Sequence, residues 1–268
     1  MNKRLYEKTI IVTGASSGIG KSIANILIRD FNCKVVGVAR SAEKLLSLKG
    51  ELGVNLIPYK MDVKNLEDFE NLKKFVTDNE LNISGLINCA GILPKFQRFE
   101  SVSVETAKEV IDINFFSLVY SVKVFTPLLK VNESPFIVNV LSSSALCPFS
   151  GVSLYSASKS AGEKFSTSIT YENKDINVLT VMPGFTKTDI MRNQNANEKE
   201  KGIIDKFSSN PDKVAKRIVK SISKGKKRLI IGFDAHFMNF LFKFFPRTAP
   251  CIIGWFLKKS KLKLFEEI

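Results

Sequence analysis

The sequence predicts an α/β protein with a single doubly wound domain, in which a mostly parallel seven-stranded sheet carries helices on both faces. Short apolar, β-branched runs alternate with amphipathic helical patterns, and repeated β-α-β units of this kind form parallel sheets with right-handed crossovers. The length of 268 residues suits one domain of this class. We therefore expect residues 1–232 to form the domain and residues 233–268 to extend it without forming a separate domain.

The predicted strands and helices follow one another in chain order. The strands are the apolar stretches at 9–12, 34–39, 56–59, 85–88, 136–141, 176–182 and 229–231. The helices each have one apolar face and lie at 18–31, 65–78, 103–130, 154–173 and 211–224. Ligands of such sheets bind at the carboxyl ends of the strands. Asn88, Ser142 and Pro183 lie at the ends of predicted strands, so we expect them to meet in one cleft.

The first predicted strand leads directly into a glycine-rich loop that begins at Thr13 and ends at Gly20. Its glycines permit a tight turn and a close approach of the main chain to a pyrophosphate, and the next helix offers free N–H groups and the positive end of its dipole. The spacing G-x-x-x-G-x-G differs from the commonest dinucleotide-binding pattern, and a purely structural turn is the alternative. The predicted dinucleotide contacts in this loop are Thr13, Gly14, Ser16, Ser17, Gly18, Ile19 and Gly20.

A second motif places a tyrosine and a lysine one helical turn apart. Tyr155 and Lys159 share one face of a predicted helix, so the ammonium group can lie below the phenol and is expected to lower the phenol pKa from its usual value near ~10. Ser142, at the end of the preceding strand, can hydrogen-bond the same substrate oxygen. Together these side chains can protonate a carbonyl oxygen during its reduction. The alternative is a chance spacing in a lysine-rich chain.

Taken in order, these motifs resemble those of the short-chain dehydrogenase/reductase family. The resemblance covers roughly residues 6–232 and rests on the glycine loop and on Asn88-Cys89-Ala90-Gly91, Asn114, Ser142, Tyr155, Lys159 and Pro183-Gly184. It implies a Rossmann-like fold and a nicotinamide-dependent oxidoreductase. It also implies a catalytic tetrad of Asn114, Ser142, Tyr155 and Lys159, with Tyr155 as general acid/base. Lys159 would also hold the nicotinamide ribose, and Asn114 would anchor a water of the proton relay.

The same resemblance implies further contacts with the cofactor. Thr188 would contact the nicotinamide carboxamide, and Thr186 would contribute through its main chain. Asp62 and Val63 would contact the adenine, although Asp62 can equally cap the helix that follows. The remaining implied contacts are Asn88, Ala90, Gly91, Tyr155, Lys159, Pro183 and Gly184.

The residue after the second predicted strand indicates which cofactor is bound. Arg40 stands where a carboxylate would bind the adenosine ribose 2′-hydroxyl and repel a 2′-phosphate. A guanidinium instead binds a phosphate through charge-assisted hydrogen bonds, and Ser16, Ser17 and Lys21 add donors nearby. The sequence therefore favours NADP(H) over NAD(H). The alternative is that Arg40 is a solvated charge.

Two later segments bear on the substrate. Residues 189–210 are polar and charged and resemble the family's variable substrate lid, with a solvated surface insertion as the alternative. Residues 211–268 carry 14 Lys/Arg against 4 Asp/Glu and eight of the 21 phenylalanines. Charges at Asp234, Lys243 and Arg247 leave no apolar stretch near the ~20 residues that a spanning helix needs.

The aromatic and basic segment 233–263 has two interpretations. Aromatic side chains beside lysines suit peripheral contact with an anionic membrane surface. The alternative is that the segment covers the substrate cleft or contacts a second copy in a homodimer. Both interpretations favour an apolar, lipid-like carbonyl or alcohol substrate. His236, the single histidine, is expected to be structural.

Composition bears on the remaining classes. The four cysteines form no C-x-x-C pair, so we expect no metal site and reduced thiols in a cytoplasmic protein, with the inner membrane surface as a peripheral location. The net charge of +14 lies among aromatics and matches no nucleic-acid reader motif, so no nucleic-acid partner is expected. The alternative functions are reduction of an acyl-carrier-protein-bound or small polar ketone, and non-catalytic dinucleotide sensing, which needs no proton donor.

Overall fold

The computed structural model describes residues 5–191, 194, 198–260, 262 and 265, which contain a seven-stranded sheet with every neighbouring pair of strands parallel. The strands are β1 Thr9–Thr13, β2 Lys34–Ala39, β3 Leu56–Lys60, β4 Ile83–Asn88, β5 Phe136–Val140, β6 Asn177–Pro183 and β7 Arg228–Ile231. Their order across the sheet is β3-β2-β1-β4-β5-β6-β7. The predicted fold class is confirmed. The strand order reverses between β1 and β4, and such sheets bind ligands beside that point.

Helices cover both faces of the sheet. Their bounds are α1 Gly18–Phe31, α2 Ala42–Leu52, α3 Leu66–Asp78, α4 Val104–Ile111, α5 Ser117–Lys130, α6 Ser153–Glu172, α7 Glu198–Phe207, α8 Pro211–Ser223, α9 Phe233–Phe244 and α10 Ala249–Lys259. Four of them, α2, α7, α9 and α10, are absent from the sequence-based prediction. Helix α2 buries only Leu45 and Leu48, so its apolar face is too narrow to give a strong helical pattern.

The apolar core lies in two layers, one on each face of the sheet. Strand β1 shows why: Ile10 and Val12 belong to the layer under α1 and α8, whereas Ile11 belongs to the layer under α3 and α5. Successive side chains of a strand point to opposite faces, so a strand buried on both sides is apolar throughout. The two layers cover the faces of the sheet and leave the carboxyl ends of its strands open.

The helical stretch 104–130 is interrupted by a π-helical turn at Asp112–Phe116, which separates α4 from α5. By length and hydropathy, Val104–Lys130 is the one segment among the described residues that could cross a membrane, but half of its apolar window is buried inside the protein. Phe125 and Leu129 are fully buried in the layer that also holds Ile11, so this helix is part of the core.

The C-terminal helices pack on the edge of the domain beside the open end of the sheet. Met238 and Leu241 of α9 join Ala249 and Ile253 of α10 around Cys147. Beyond α10, Leu262 and Phe265 are buried in a different cluster, which also contains Tyr155. Residues 261, 263–264 and 266–268 of the predicted extension lie outside the described residues.

Candidate active site

A cavity of about 470 Å³ opens at the carboxyl ends of the strands. It runs from Arg40 after β2, past the glycine loop after β1, to Tyr155 on α6. The predicted site residues that line it are Gly14, Ser16, Ser17, Ile19, Arg40, Asp62, Val63, Ala90, Gly91, Ser142, Tyr155, Lys159, Pro183, Gly184, Thr186 and Thr188. The predicted site residues that support it from behind are Thr13, Gly18, Gly20, Asn88 and Asn114.

The glycine loop is held against the end of β4. The Thr13 hydroxyl oxygen accepts hydrogen bonds from the main-chain N–H groups of Cys89 (3.1 Å) and Ala90 (3.2 Å). Gly14 has a φ of +69°, and a Cβ there would press on Ala90, while a Cβ at Gly20 would collide with the Gly14 carbonyl. Only glycine fits at either position, so the main chain itself forms this wall of the cavity.

The loop has the donors that a pyrophosphate needs. Helix α1 begins at Gly18, and the side chain of its N-cap residue, Ser17, makes no capping hydrogen bond. The first N–H groups of α1 therefore receive no side-chain acceptor, and the positive end of the helix dipole faces the cavity beside Ser17 and Ile19. A glycine cradle with uncapped N–H groups fits the phosphates of a dinucleotide.

Asn88 is buried and lies behind the cavity wall. Its Nδ2 donates to Oδ1 of Asn139 (2.9 Å), and Nδ2 of Asn139 donates to the Ser166 hydroxyl (2.8 Å). These bonds join β4, β5 and α6 beneath the site, and buried amides need such partners. The structure thus places Asn88 in a supporting network instead of at the surface of the cavity.

Asn114 lies in the π-helical turn and is also buried. Its Oδ1 accepts from the N–H of Ile92 (2.8 Å), and its Nδ2 donates to the Ile92 carbonyl (2.9 Å) and to the Ser158 hydroxyl (3.2 Å). Ser158 in turn donates to the carbonyl of Tyr155 (2.7 Å). The amide therefore ties the loop after β4 to helix α6, as π turns at functional sites often do.

Tyr155, Lys159 and Ser142 meet at the inner end of the cavity. The Lys159 Nζ lies 5.7 Å from the centroid of the Tyr155 ring, and a hydrogen bond links Tyr155 to Ser142. Ser142 follows β5 and begins a 3₁₀ turn, where its Oγ accepts from the Ser144 N–H (3.2 Å). Lys159 Nζ and the Asn114 amide oxygen both lie against Gly91, where a side chain would displace them.

Burial dominates the ionisation of this pair. Burial raises the pKa of Tyr155 to about 12. The hydrogen bond with Ser142 acts in the opposite direction and has the smaller effect. Burial also lowers the pKa of Lys159 to about 8. The expectation that Lys159 holds the phenol pKa below its usual value is therefore wrong for the protein alone. Desolvation of the phenol sets the direction of its pKa shift, and the phenol keeps its proton near neutral pH.

The other end of the cavity is basic. Arg40, Ser41 and Lys44 line it, and Ser41 caps α2 by accepting from the Lys44 N–H (3.3 Å). The cap begins α2 at Ala42, so Lys44 lies in the first turn of this helix. Lys21, in contrast, pairs with Glu51 at 3.1 Å and does not line the cavity.

Asp62 lies at the same end, after β3. It lines the cavity, accepts from the Lys64 N–H (3.1 Å) and lies 3.6 Å from the Lys64 Nζ. The N-cap of α3 is Asn65, so Asp62 shapes the turn before that helix without capping it. One oxygen of the Asp62 carboxylate can still accept a hydrogen bond from an amino group of a ligand.

The loop after β6 is fixed by a residue from the C-terminal extension. Asp234, in the first turn of α9, accepts a hydrogen bond from the N–H of Phe185 at 2.7 Å. A Cβ at Gly184 or at Gly232 would collide with this carboxylate. The loop that contains Gly184 and Phe185 lines the cavity, so α9 holds one of its walls.

The end of the cavity beyond Tyr155 is apolar. Its lining includes Leu93, Phe96, Phe149, Val152 and Ile190. Leu262 and Phe265 pack on the same cluster, and the rings of Phe96 and Phe265 meet edge to face at 5.1 Å.

The predicted lid reaches this apolar wall. Gln194 accepts from the Phe96 N–H (3.0 Å) and donates to the Pro94 carbonyl (2.9 Å). Residues 192–193 and 195–197 of the predicted lid lie outside the described residues, and α7 forms most of its second half.

Comparison with known proteins places this chain in a family. The family profile described as short chain dehydrogenase matches residues 8–199. The chain belongs to the short-chain dehydrogenase family. A benzil reductase ((S)-benzoin forming) of Saccharomyces cerevisiae is 30% identical to this short-chain dehydrogenase over 196 residues, which cover 69% of this chain and 74% of the yeast protein. The family prediction is confirmed.

Solved short-chain dehydrogenases have the same fold. One from Burkholderia phymatum, in complex with NAD, has a TM-score of 0.77 and 19% identity over 85% of this chain and 89% of its own. The closed form of serine dehydrogenase complexed with NADP+ has a TM-score of 0.76 and 24% identity over 83% of this chain and 94% of its own. At these identities the likeness concerns the fold alone.

Sequence reasoning missed several residues of the site. Lys44 was missed together with helix α2, although Ser41 is a typical N-cap and indicated where that helix begins. Asp234 gave no local signal, because its partner lies 49 residues away. Ser144 also lines the cavity, and its buried hydroxyl has no hydrogen-bond partner among the residues that the structure describes.

Proposed function

We propose that this short-chain dehydrogenase is an NADP(H)-dependent oxidoreductase that reduces the carbonyl of an apolar, lipid-like compound, or oxidises the corresponding alcohol. One observation carries the proposal. A single cavity joins a basic end at Arg40 and Lys44 to a buried tyrosine, Tyr155, beside an apolar wall. Its ends suit a phosphorylated cofactor and an apolar carbonyl compound respectively.

Tyr155 acts as the general acid. Its buried phenol keeps its proton near neutral pH, since burial raises its pKa to about 12, and so it can donate that proton to a carbonyl oxygen as negative charge develops there. Ser142 is hydrogen-bonded to Tyr155 and supports the same oxygen. When bound, reduced nicotinamide supplies the hydride for this chemistry.

Lys159 and Asn114 support Tyr155. The Lys159 ammonium stabilises the phenolate that forms when the proton leaves. Lys159 would also hold the nicotinamide ribose. Asn114 fixes the position of α6 through Ser158. As in the family that the chain resembles, Asn114 would also anchor a water of the proton relay. Both side chains are buried, so their charges and dipoles act in a medium of low polarisability.

The cofactor preference rests on the residues around the end of β2. Arg40, Ser41 and Lys44 offer two cations and a hydroxyl, and the β2 end itself carries no carboxylate. A ribose 2′-phosphate carries the charge that this pair of cations complements. The related structures include one with NAD and one with NADP+, so the preference depends on these side chains.

The substrate class rests on the apolar wall. Phe96, Val152 and Phe265 form one cluster with Tyr155, next to the hydroxyl that would protonate the substrate. A polar substrate would lose its hydration here without gaining hydrogen bonds. The yeast relative named benzil reductase agrees with an apolar carbonyl substrate.

A NADPH-oxidation screen over ketones of increasing chain length tests the proposal. We expect kcat/KM to rise with each added methylene by about threefold or more, because each buried CH₂ contributes ~0.8 kcal/mol. NADH should give a lower kcat/KM than NADPH with the same ketone. Turnover confined to short polar ketones would contradict the apolar substrate. Equal use of NADH would contradict the cofactor assignment.

A further inference from the structure

Helix α9 exposes a stripe of phenylalanines on the side away from the core. Phe233, Phe237, Phe240 and Phe244 are all exposed, with Phe233 at 87%. Their spacing of i, i+4, i+7 and i+11 places them on one narrow face of the helix. Ala235, Met238 and Leu241 face the opposite way and are buried. The helix therefore has two apolar faces, of which the fold uses one.

Further aromatic side chains are exposed beyond α9. Phe245 follows the helix, and Trp255 and Phe256 on α10 are each about half exposed. The fractional exposures of the α9 stripe and Phe245, at ~200 Å² for each ring, sum to on the order of 600 Å². A patch of that size is at the upper limit for an unpartnered surface of a monomer. A surface of this kind indicates a binding partner.

Cations lie over exposed aromatic rings of both helices. The Lys243 Nζ is 5.6 Å from the centroid of the Phe244 ring, and the Lys259 Nζ is 4.6 Å from that of Trp255. Arg247 and Lys258 are also exposed. Asp234, the acidic residue of α9, is engaged with Phe185 and faces the domain. The exposed surface therefore combines aromatic rings with positive charge.

We propose that the exposed faces of α9 and α10, from Phe233 to Lys259, form a docking surface for an anionic lipid bilayer. Aromatic rings of an interfacial helix insert at the level of the headgroups, and lysines beside them contact anionic headgroups through their long side chains. The net charge of +14, of which residues 211–268 contribute +10, directs the protein to a negative surface.

The charges argue against a second copy of the chain as the occupant. A two-fold interface brings the same patch of both subunits together. Lys243, Lys258 and Lys259 of one copy would then lie close to the same cations of the other copy. A bilayer of anionic lipids instead supplies the opposite charge to each of them.

Co-sedimentation of the full-length protein with vesicles tests the proposal. The vesicles are pure phosphatidylcholine, or phosphatidylcholine with a minor fraction of phosphatidylserine. We expect binding to the anionic vesicles that weakens as the salt concentration rises, and much weaker binding to the neutral ones. No binding to the anionic vesicles at low salt would overturn the proposal.

Two triple variants separate the aromatic and the charged contributions. Phe237→Ser/Phe240→Ser/Phe244→Ser should lower the partition constant on anionic vesicles about tenfold or more. Lys243→Ala/Lys258→Ala/Lys259→Ala should lower it similarly on anionic vesicles and leave the weak binding to neutral ones unchanged. Unchanged binding of the aromatic variant to anionic vesicles would overturn the proposal.

Matched controls lie elsewhere on the surface. Val54→Ser/Val131→Ser/Tyr171→Ser removes exposed apolar side chains, and Lys49→Ala/Lys130→Ala/Lys174→Ala removes exposed charges. Neither control should change vesicle binding, and the two docking variants should keep the thermal midpoint of the wild type. If the aromatic variant instead converts a dimer into monomers with unchanged vesicle binding, the surface joins two copies. Vesicle binding needs no catalysis, so this proposal and the proposed function fail separately.

Discussion

The Asp234 carboxylate accepts a hydrogen bond from the Phe185 N–H at 2.7 Å and lies against Gly184. This contact joins helix α9, the first element of the C-terminal extension, to the loop after β6 that lines the cavity. The extension therefore takes part in building the site. Because α9 also carries the exposed phenylalanine stripe, the same helix connects that surface to the proposed cofactor site.

Loss of this contact should weaken cofactor binding. Asp234→Ala removes a hydrogen bond to a charged acceptor, which contributes about 1.5–3 kcal/mol, so we expect KM for NADPH to rise about tenfold. Asp234→Asn keeps an oxygen acceptor and should have a smaller effect. Steady-state kinetics with varied NADPH measures both, with Asp30→Ala, an exposed acid on α1, as the control. An unchanged KM in Asp234→Ala would show that the loop is positioned without α9.

Cofactor selectivity should depend on Arg40 and Lys44. Arg40→Ala and Lys44→Ala each remove a cation that lines the cavity, and we expect KM for NADPH to rise about tenfold or more while KM for NADH changes little. The ratio of the two kcat/KM values is the measurement. Lys49→Ala, on the exposed side of α2, is the matched control and should leave the ratio unchanged.

The depressed pKa of Lys159 has a consequence for stability. Its pKa falls from an ordinary value of 10.5 to about 8 on folding, so between these pH values the unfolded chain binds more protons and stability rises with pH. The penalty for burying the charge is fully present below pH 8 and is relieved as pH rises toward 10.5. Tyr155, whose pKa is raised from 10.0 to about 12, favours the folded state below pH 10 and loses that contribution at higher pH.

A methionine at position 159 should therefore stabilise the protein while abolishing turnover. We expect Lys159→Met to raise the free energy of unfolding near neutral pH by on the order of 2 kcal/mol, and the gain to shrink by a similar amount near pH ~9.5. Urea denaturation at the two pH values measures this. Lys164→Met, an exposed position of the same helix, should show no such pH-dependent gain.

The apolar wall beyond Tyr155 should determine which chain lengths of ketone are accepted. Phe265→Ala removes a buried ring that packs on Phe96, so we expect kcat/KM for the longest ketones to fall about tenfold and that for short ketones to change little. Phe256→Ala, an exposed aromatic on α10, is the control. An equal fall for all chain lengths would indicate a general structural defect.

The sheet was predictable because its strands are buried on both faces. Each reads as a short apolar run, as Ile10 to Val12 shows, and glycines mark the turn after the first one. Helices α9 and α10 were not predicted as helices, because α9 is apolar on two faces and shows no simple polar–apolar alternation. The interfacial character of their segment was nevertheless proposed from its composition.

The sequence predicted those site residues that strand ends bring together. It did not predict residues that reach the site from elements far away along the chain. Tyr155, Lys159 and Ser142 converge as expected, whereas Asn88 lies behind the wall because it pairs with Asn139, a buried amide of the next strand. The sign of the Tyr155 pKa shift was wrong, because the sequence gives the nearby charge but not the depth of burial. Asp234 depends on a contact across 49 residues, for which local pattern gives no information.

The most direct test of the central claim is the rate of NADPH oxidation by Tyr155→Phe with the best ketone from the screen. The substitution removes one hydroxyl from a buried ring, and the thermal midpoint and NADPH affinity should stay near those of the wild type. If Tyr155 is the proton donor, kcat should fall by about 10²–10⁴-fold. A Tyr155→Phe protein that is folded, binds NADPH and keeps the full kcat would contradict the account.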